Sequence, residues 1–283
     1  MRVLITGTSG HIGEAVAERI CRDADVVGLD ILPGTFTTHV GDIRDARFVR
    51  RLLADVNGVV HVAALLTPHV DVRSDSDFHQ INVEGTEVLL EGALAAGVSR
   101  FVFTSTTSVY GCTTRAQGSA VWVTEELSPN PEDVYDRTKL QAELLCEKAS
   151  RHGMQCVVLR MSRCFPEPDH LMAFYRLYRG VDHRDVADGH YLALTTPLDG
   201  FHVFNLSAQS VFRKSDCDEL WKDPWRVIAR TFPSAAAIFE ERRWPLPHRV
   251  DRVYVIDKAR ELLGYNPRFN FHGVQSHSDD VIC

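Results

Sequence analysis

The sequence predicts an α/β protein built around a doubly wound parallel sheet, and three observations lead to that fold class. Short runs rich in Val, Ile and Leu alternate with helical patterns through the first half of the chain. A glycine-rich turn follows the first of these runs directly. The runs are nearly continuous in apolar residues, which is typical of parallel strands that are covered by helices on both faces.

The predicted elements follow one another in a regular order. Strands are predicted at residues 2–5, 25–29, 58–62, 100–104 and 155–160. Helices are predicted to begin near Ile12, Ala46, Phe78 and Arg137. After Arg160 the pattern becomes less regular, with a helix at 185–194, a strand at 201–205 and a closing helix that Gly264 ends. We therefore predict a main domain over 1–165 and a small C-terminal region over 166–283, and we leave open that a strand from 181–210 returns to the main sheet.

The bulk composition excludes several classes of protein. The chain has 283 residues and a formal net charge of -7, so it has no electrostatic reason to bind nucleic acid or anionic lipid. Its seven cysteines include no C-x-x-C pair, and its thirteen histidines include no H-x-H or H-E-x-x-H spacing. We therefore expect a cytoplasmic protein with no metal site, no disulfide framework and no membrane partner.

The glycine-rich turn has the spacing of a dinucleotide site. Gly7, Gly10 and Gly13 are three residues apart, between the first strand and the first helix. The first glycine permits a sharp turn, the second lets the backbone approach a pyrophosphate, and the third lets helix and strand pack closely. The turn therefore predicts a Rossmann-type fold that holds its ligand at the start of the first helix, near His11 and Ile12.

An acidic residue at the end of the second strand strengthens this interpretation. Asp30 stands 23 residues beyond Gly7, where a carboxylate can accept hydrogen bonds from ribose hydroxyls. No arginine follows at positions 31 and 32 to meet a 2′-phosphate, so NAD is favoured over NADP. The predicted cofactor contacts of this half are Gly7, Gly10, His11, Ile12, Gly13, Asp30, Asp42, Ile43, Ala63 and Ala64.

A tyrosine and a lysine supply the predicted catalytic pair. Tyr135 and Lys139 are four residues apart, so on a helix both side chains project from one face. A nearby ammonium stabilises phenolate and lowers the tyrosine pKa toward the range of a general base. The lysine can also bind the nicotinamide ribose. Hydroxyl residues from Thr104 onward leave the fifth strand at the carboxyl edge of the sheet, where such folds bind ligands.

Together these motifs resemble the extended short-chain dehydrogenase/reductases, the NAD-dependent epimerase/dehydratase family. The matching segments lie at 6–13, 41–43, 61–64, 82–86, 109–111, 135–139, 159–160, 184–188 and 258–264. The resemblance implies that Tyr135 is the acid/base, that Lys139 tunes its pKa and binds ribose, and that Thr106 hydrogen-bonds the substrate. Ser105 and Thr107 are the alternatives to Thr106. It also implies that Asn82 and Thr104 lie near the cofactor.

Two departures from the family pattern bear on the substrate. Asp136 replaces the small residue that usually follows the tyrosine, and its charge opposes phenolate formation. Arg163 stands where sugar-nucleotide epimerases have an asparagine, and the segment 164–168 is similar to that of the family's uronate dehydrogenases. The expected substrate contacts are Thr106, Thr107, Arg163 and, within a basic stretch, Arg249.

Three functions therefore stay open. The first is an NAD-dependent oxidoreductase or epimerase for a sugar or nucleotide sugar, and the second is a dehydrogenase of free sugars or uronates. The third is a non-catalytic NAD-sensing protein, which we disfavour because such relatives usually lose the tyrosine or the lysine. The resemblance also implies a homodimer formed by the helices near 78–94 and 135–149.

Overall fold

The computed structural model describes residues 1–115 and 118–271 and has a seven-stranded parallel sheet at its centre, in the order β3-β2-β1-β4-β5-β7-β8. The strands are β1 (Arg2–Thr6), β2 (Asp25–Asp30), β3 (His39–Val40), β4 (Gly58–His61), β5 (Arg100–Thr106), β6 (Val121–Val123), β7 (Gln155–Met161), β8 (Phe201–Leu206) and β9 (Arg252–Tyr254). Strands β6 and β9 form a separate parallel pair. The predicted fold class is confirmed.

Helices cover both faces of the main sheet. They are α1 (His11–Ile20), α2 (Ala46–Leu52), α3 (Asp75–His79), α4 (Gly85–Ala95), α5 (Val134–Ser150), α6 (Asp169–Tyr175), α7 (His183–Thr195), α8 (Cys217–Lys222), α9 (Pro224–Thr231), α10 (Pro233–Glu241) and α11 (Asp257–Leu263). Short 3-10 segments lie at Thr67–His69, Thr107–Thr114 and Lys214–Asp216, and a π turn lies at Gln80–Glu84. Helices α2, α4 and α5 share one apolar core with the sheet, and α1, α7 and α11 share the other.

The alternation of side chains along a strand divides β1 between these two cores. Leu4 belongs to the core beneath α2, α4 and α5, whereas Val3 and Ile5 belong to the core beneath α1, α7 and α11. Strand β1 lies between β2 and β4, so the chain winds outward in both directions from this point of the sheet. Such a reversal of strand order opens a crevice at the carboxyl edge, where ligands of this architecture bind.

The small region differs from the predicted division at residue 165. Its core is formed largely by α6, α8, α9 and α10. Val253 of β9 also belongs to it, and β9 pairs with β6, which comes from residues 121–123. The chain contributes β8 to the main sheet within 181–210, and β8 pairs with β7 over Phe201–Leu206. The small region is therefore assembled from segments on both sides of Pro166, a long-range pairing with no local sequence signal.

No helix among the described residues is long and apolar enough to span a bilayer. Cys283 and the end of the predicted region 166–283 lie outside the described residues.

Candidate active site

The glycine turn between β1 and α1 has the close packing that the sequence predicts. Gly7 has a φ of 79°, and a Cβ there would lie 2.7 Å from the amide nitrogen of Ala63. A Cβ on Gly13 would lie 1.8 Å from the carbonyl oxygen of Gly7. Helix α1 then begins at His11 with Gly10 as a cap that has no side chain to satisfy its first amides. The turn therefore presents backbone N–H groups and a positive helix end to an anionic ligand.

Asp30 lies beside this turn, at the carboxyl end of β2. Its carboxylate accepts hydrogen bonds from the amides of Ser9 at 2.9 Å and Leu32 at 3.0 Å. These bonds fix the carboxylate at the glycine turn and leave lone pairs for ribose hydroxyls. Ile31 and Leu32 are exposed, and neither offers a cation to a 2′-phosphate.

The side chains of Asp42 and Ile43, two of the predicted cofactor contacts, already have partners within the protein. The Asp42 carboxylate is bound by the Arg44 guanidinium at 2.6 Å, which holds the pKa of that carboxyl below its usual range. Ile43 is buried in the core, in contact with the position that a Cβ on Gly85 would occupy. Ile43 therefore supports this edge of the site by packing.

Asn82 joins two elements of the site to each other. It is buried, and its Oδ1 accepts from the amide of Leu65 at 2.8 Å. Its amide group donates to the carbonyl of Leu65 and to the Thr138 hydroxyl, both at 3.1 Å. Both N–H groups of Asn82 are therefore used inside the protein, and the side chain holds the loop after β4 against α5. Ala63 and Ala64 belong to this loop.

Helix α5 places Tyr135 and Lys139 together in the protein interior. Asp133 caps the helix by accepting from the amide of Asp136 at 2.8 Å. Lys139 is buried, its Nζ lies 4.4 Å from the centre of the Phe103 ring, and burial lowers its pKa to about 7. Cation–π attraction by Phe103 offsets part of the cost of burying the ammonium.

The titration of Tyr135 differs from the sequence expectation. Burial raises its pKa above the usual range, a hydrogen bond with Thr106 opposes this, and the charges of Asp136 and Asp133 add to it. Lys139 is not among the groups that set this pKa. The expected lowering by Lys139 is therefore not found, because desolvation of the phenolate outweighs the other effects. The expectation that Asp136 opposes phenolate agrees with the structure.

The hydroxyls at the carboxyl end of β5 have different partners. The Thr106 hydroxyl accepts from the Ser108 amide at 3.1 Å and interacts with the Tyr135 phenol. The Thr104 hydroxyl instead pairs with Nε2 of buried His190 at 2.7 Å, and Ser105 donates to the Glu143 carboxylate. Thr106 therefore lies with the tyrosine, whereas Thr104 and Ser105 are committed to partners in the core; Thr107 is buried.

A buried ion pair lies one turn beyond Lys139, and the sequence interpretation missed it. Glu143 is 3% exposed and its carboxylate binds the Arg160 guanidinium, with the shortest contact at 2.6 Å. Arg160 also lies over the Tyr110 ring, whose hydroxyl donates to Asn205 at 2.8 Å. This cluster fastens α5 to β5, β7 and β8 beneath the site.

A cleft of about 170 Å³ lies at the carboxyl edge between the glycine turn and the small region. Its walls include His11 of α1, the predicted Arg163, and Tyr175 and Arg176, which the sequence did not single out. Arg176 donates to Asp182 at 2.6 Å, but its Nη1 is buried and has no hydrogen-bond partner among the described residues. A buried guanidinium N–H without a partner suits an anionic oxygen.

Arg249 is not part of this cleft. Its guanidinium lies 4.0 Å from the centre of the Trp221 ring, and the side chain is exposed on the small region. The predicted substrate contact is therefore not supported. The basic run is a solvated face, because Arg242, Arg243 and Arg249 are all exposed, and the planar side of the Arg249 guanidinium stacks on Trp221.

The buried histidines are structural. His61 bridges the hydroxyls of Thr6 at 2.7 Å and Thr86 at 2.9 Å, and burial lowers its pKa to about 3. His190 is likewise buried, with a pKa of about 4. Within 1–115 and 118–271 no three His, Cys, Asp or Glu side chains cluster as metal ligands would.

Comparison with known proteins agrees with this geometry. The NAD dependent epimerase/dehydratase family matches residues 3–172. A UDP-glucose 4-epimerase of Streptomyces lividans is 31% identical over 169 residues, 55% of this chain and 50% of that protein. An L-arabinose 1-dehydrogenase of Haloferax volcanii is 31% identical over 177 residues, 56% of this chain and 66% of that protein. The chain spans about half the length of the curated relatives it matches.

The structural likeness extends over the whole chain. A UDP-N-acetylglucosamine 4-epimerase from Bacillus cereus superposes with a TM-score of 0.72 at 24% identity, over 98% of this chain and 97% of that chain. This likeness shows the shared fold. With the glycine turn, the acid at the end of β2 and the family match over more than half of its residues, the chain belongs to the NAD dependent epimerase/dehydratase family.

Proposed function

We propose that this chain is an NAD-dependent oxidoreductase or epimerase that acts on a sugar or nucleotide sugar. The observation that carries the proposal is the burial of Tyr135 and Lys139 on one helix, beside Thr106 and at the same sheet edge as the glycine turn. An exposed tyrosine and lysine at this spacing would be an ordinary helix surface. Burial of both groups at the ligand-binding edge favours a chemical role.

The residues around the glycine turn fit NAD. Gly7 and Gly13 leave no space for a side chain, Gly10 caps α1, and Asp30 offers its carboxylate at the end of β2. We assign the pyrophosphate to the start of α1 and the adenosine ribose to Asp30. When bound, NAD would supply the acceptor for a hydride from the substrate carbon.

The proposed roles at the other end of the site follow from the side chains. Tyr135 takes the proton of the substrate hydroxyl. Thr106 keeps the phenol and the substrate oxygen in position relative to each other. Lys139 binds the nicotinamide ribose through its ammonium, and its lowered pKa of about 7 means that ligand binding and protonation are coupled. Asn82 keeps the loop after β4 in place.

A specific observation favours the alternative of a free-sugar or uronate dehydrogenase. The cleft contains Arg163 and Arg176, and the unpartnered Nη1 of Arg176 can bind a carboxylate or phosphate oxygen. The resemblance of 164–168 to uronate dehydrogenases agrees with a carboxylate. The arabinose dehydrogenase relative also carries the name of a free-sugar enzyme.

The test is nicotinamide absorbance during incubation with neutral sugars, sugar acids and nucleotide sugars, with NAD and NADP in parallel. Accumulating NADH identifies a dehydrogenase, and inverted product without NADH identifies an epimerase. We expect turnover with NAD to exceed turnover with NADP because Asp30 repels a 2′-phosphate. Binding of NAD without turnover of any substrate would contradict the proposal and leave the NAD-sensing alternative.

The homodimer and the cytoplasmic location remain expectations.

A further inference from the structure

His61, the last residue of β4, lies between two buried hydroxyls. Its Nδ1 is 2.7 Å from the hydroxyl of Thr6, and its Nε2 is 2.9 Å from the hydroxyl of Thr86. All three side chains are fully buried. Thr6 ends β1 and directly precedes the glycine turn, whereas Thr86 lies in the first turn of α4. The imidazole therefore joins the strand that leads into the predicted cofactor site to a neighbouring helix.

The hydrogen bonds of Thr86 determine which ring nitrogen of His61 carries the proton. The Thr86 hydroxyl donates to the backbone carbonyl of Asn82 at 2.7 Å. A hydroxyl has one hydrogen, so Thr86 must accept from His61, and Nε2 carries the N–H. Neither partner of the ring is a carboxylate that would stabilise imidazolium, and burial lowers the pKa of His61 to about 3. A neutral ring has one N–H, so Nδ1 is an acceptor.

Thr6 then uses its whole hydrogen-bonding capacity. Its hydroxyl donates to Nδ1 of His61, and its two lone pairs accept from the amides of Val62 and Ala63, both at 3.2 Å. The Ala63 amide nitrogen is the atom that a Cβ on Gly7 would approach to 2.7 Å. The Nε2–H form of His61 therefore fixes the loop after β4 directly against the glycine turn.

Asn82 extends the connection from Thr86 to the catalytic helix. Its carbonyl accepts from Thr86, and its side-chain amide donates to the Thr138 hydroxyl at 3.1 Å. Thr138 in turn donates to the backbone carbonyl of Tyr135 at 3.0 Å. Asn82 and Thr138 are at most 3% exposed. A continuous path of buried groups therefore runs from the glycine turn through His61 to the backbone of Tyr135.

We propose that His61 is a positioning residue that couples the cofactor turn to the catalytic helix, and that it does so as the Nε2–H tautomer. The inference rests on the proposed function, because it takes the glycine turn as the NAD site. In the Nδ1–H tautomer the ring would donate to Thr6, whose hydroxyl would lose a lone pair for the amides. Val62 also donates to the Thr6 carbonyl at 3.3 Å, so Ala63 is the amide that would lose its acceptor.

The packing around His61 agrees with a neutral ring. The centres of the His61 and Phe103 rings are 5.6 Å apart, and the ammonium of Lys139 lies 4.4 Å from the centre of the same Phe103 ring. A second cation at His61 would repel this ammonium, and the charge of Lys139 adds to burial in lowering the pKa of His61. The ring can therefore accept at Nδ1 throughout the pH range in which Lys139 is charged.

The decisive experiment measures NAD affinity by isothermal titration calorimetry in Thr86→Val and Thr86→Ser. Valine keeps the shape of threonine but leaves Nε2–H without an acceptor, whereas serine keeps the hydroxyl. We expect Thr86→Val to weaken NAD binding about tenfold and Thr86→Ser to stay within about twofold of the unchanged protein. Thr231→Val is the matched control, because its hydroxyl bonds only to the Val227 carbonyl of its own helix in the small region, and NAD affinity should be kept.

Urea denaturation of the same variants separates positioning from stability. A merely structural hydroxyl would lower the free energy of unfolding in Thr86→Val but leave the NAD affinity of the folded protein within about twofold, and that result would overturn the proposal. Equal loss of affinity in Thr86→Ser would overturn it as well, since the hydroxyl would not matter. NAD binding without turnover of any sugar contradicts only the proposed function, whereas no NAD binding by the unchanged protein contradicts both.

Nuclear magnetic resonance of the ring nitrogens tests the tautomer without cofactor or substrate. Buried His190 is an internal reference, because its Nδ1 lies 2.8 Å from the carbonyl of Val186, which only accepts, so Nδ1 carries the N–H. We expect opposite tautomers in one spectrum, with the His61 signals identified by their loss in His61→Asn. In Thr86→Val the His61 proton should move to Nδ1. A proton on Nδ1 of His61 in the unchanged protein would overturn the proposal.

Discussion

Two successive turns of α5 each carry a buried charged side chain, and the two side chains differ in their ion pairing. Lys139 and Glu143 are four residues apart and each is 3% exposed. Glu143 is bound by Arg160 and Ser105, whereas Lys139 forms no ion pair within the described residues and has the Phe103 ring beneath its ammonium. A fully paired charge is fixed and inert. A buried charge without a counter-ion has a shifted pKa and is available to a ligand, so the difference separates the part of α5 that supports the site from the part that reacts.

The largest expected effect comes from the part of α5 that carries Tyr135 and Lys139, called here the reactive turn. Tyr135→Phe removes the phenol hydroxyl with little change of shape, and we expect kcat to fall by about 10³-fold because proton transfer is lost. Steady-state kinetics with the substrate found in the panel measures this. Tyr110→Phe is the matched control, since it also removes a buried hydroxyl, one bonded to Asn205. If both variants lost activity equally, Tyr135 would have no special role.

Removing the ion pair of Glu143 with Arg160 in the next turn, called here the supporting turn, should lower stability instead. Glu143→Ala leaves the Arg160 guanidinium buried without a counter-ion, so we expect the free energy of unfolding to fall by about 3–5 kcal/mol. Urea denaturation measures this change. Glu147→Ala, one turn further on the same helix, removes a partly exposed pair with Arg151 and should cost less than about 1 kcal/mol.

A double variant sharpens this second prediction. Glu143→Leu with Arg160→Met replaces the pair by apolar side chains of similar volume, and we expect most of the lost stability to return. Loss of stability in the double variant as large as in Glu143→Ala would mean that packing, rather than the uncompensated charge, is what Glu143 contributes.

The sequence predicts the reactive turn better than the supporting one, for physical reasons. The glycine turn, Asp30 and the Tyr135–Lys139 spacing are local patterns, and local patterns are visible in one chain. Glu143 four residues after Lys139 resembles an ordinary exposed helix pair, and only the pairing of β5 with β7 brings Ser105 and Arg160 to it. Strand β6 depends on a pairing distant in sequence in the same way. Arg249 lies outside the cleft, and a basic run in a sequence does not show which face of the molecule it occupies.

The smallest expected effect is a pH dependence that belongs to Lys139. Burial lowers its pKa to about 7, while an unfolded lysine titrates near 10.4. Between these values the unfolded chain binds a proton that the folded chain lacks, so stability from this group rises with pH, by up to about 1.4 kcal/mol per unit. Lys139→Met should remove that slope. Urea denaturation of both proteins from pH 7 to about pH 8 measures it, and the buried thiols, which titrate at about pH 8.5 in the unfolded chain, are common to both proteins and cancel in the difference.

The matched control for this slope is Lys148→Met, which removes an exposed lysine from the same helix. We expect Lys148→Met to keep the slope of the unchanged protein, because Lys148 is already exposed to solvent in the folded chain. A slope that survives in Lys139→Met would show that this ammonium is solvated in the folded chain. The contrast with Glu143 would then fail, since Lys139 would be an ordinary surface charge and its burial could not favour a chemical role.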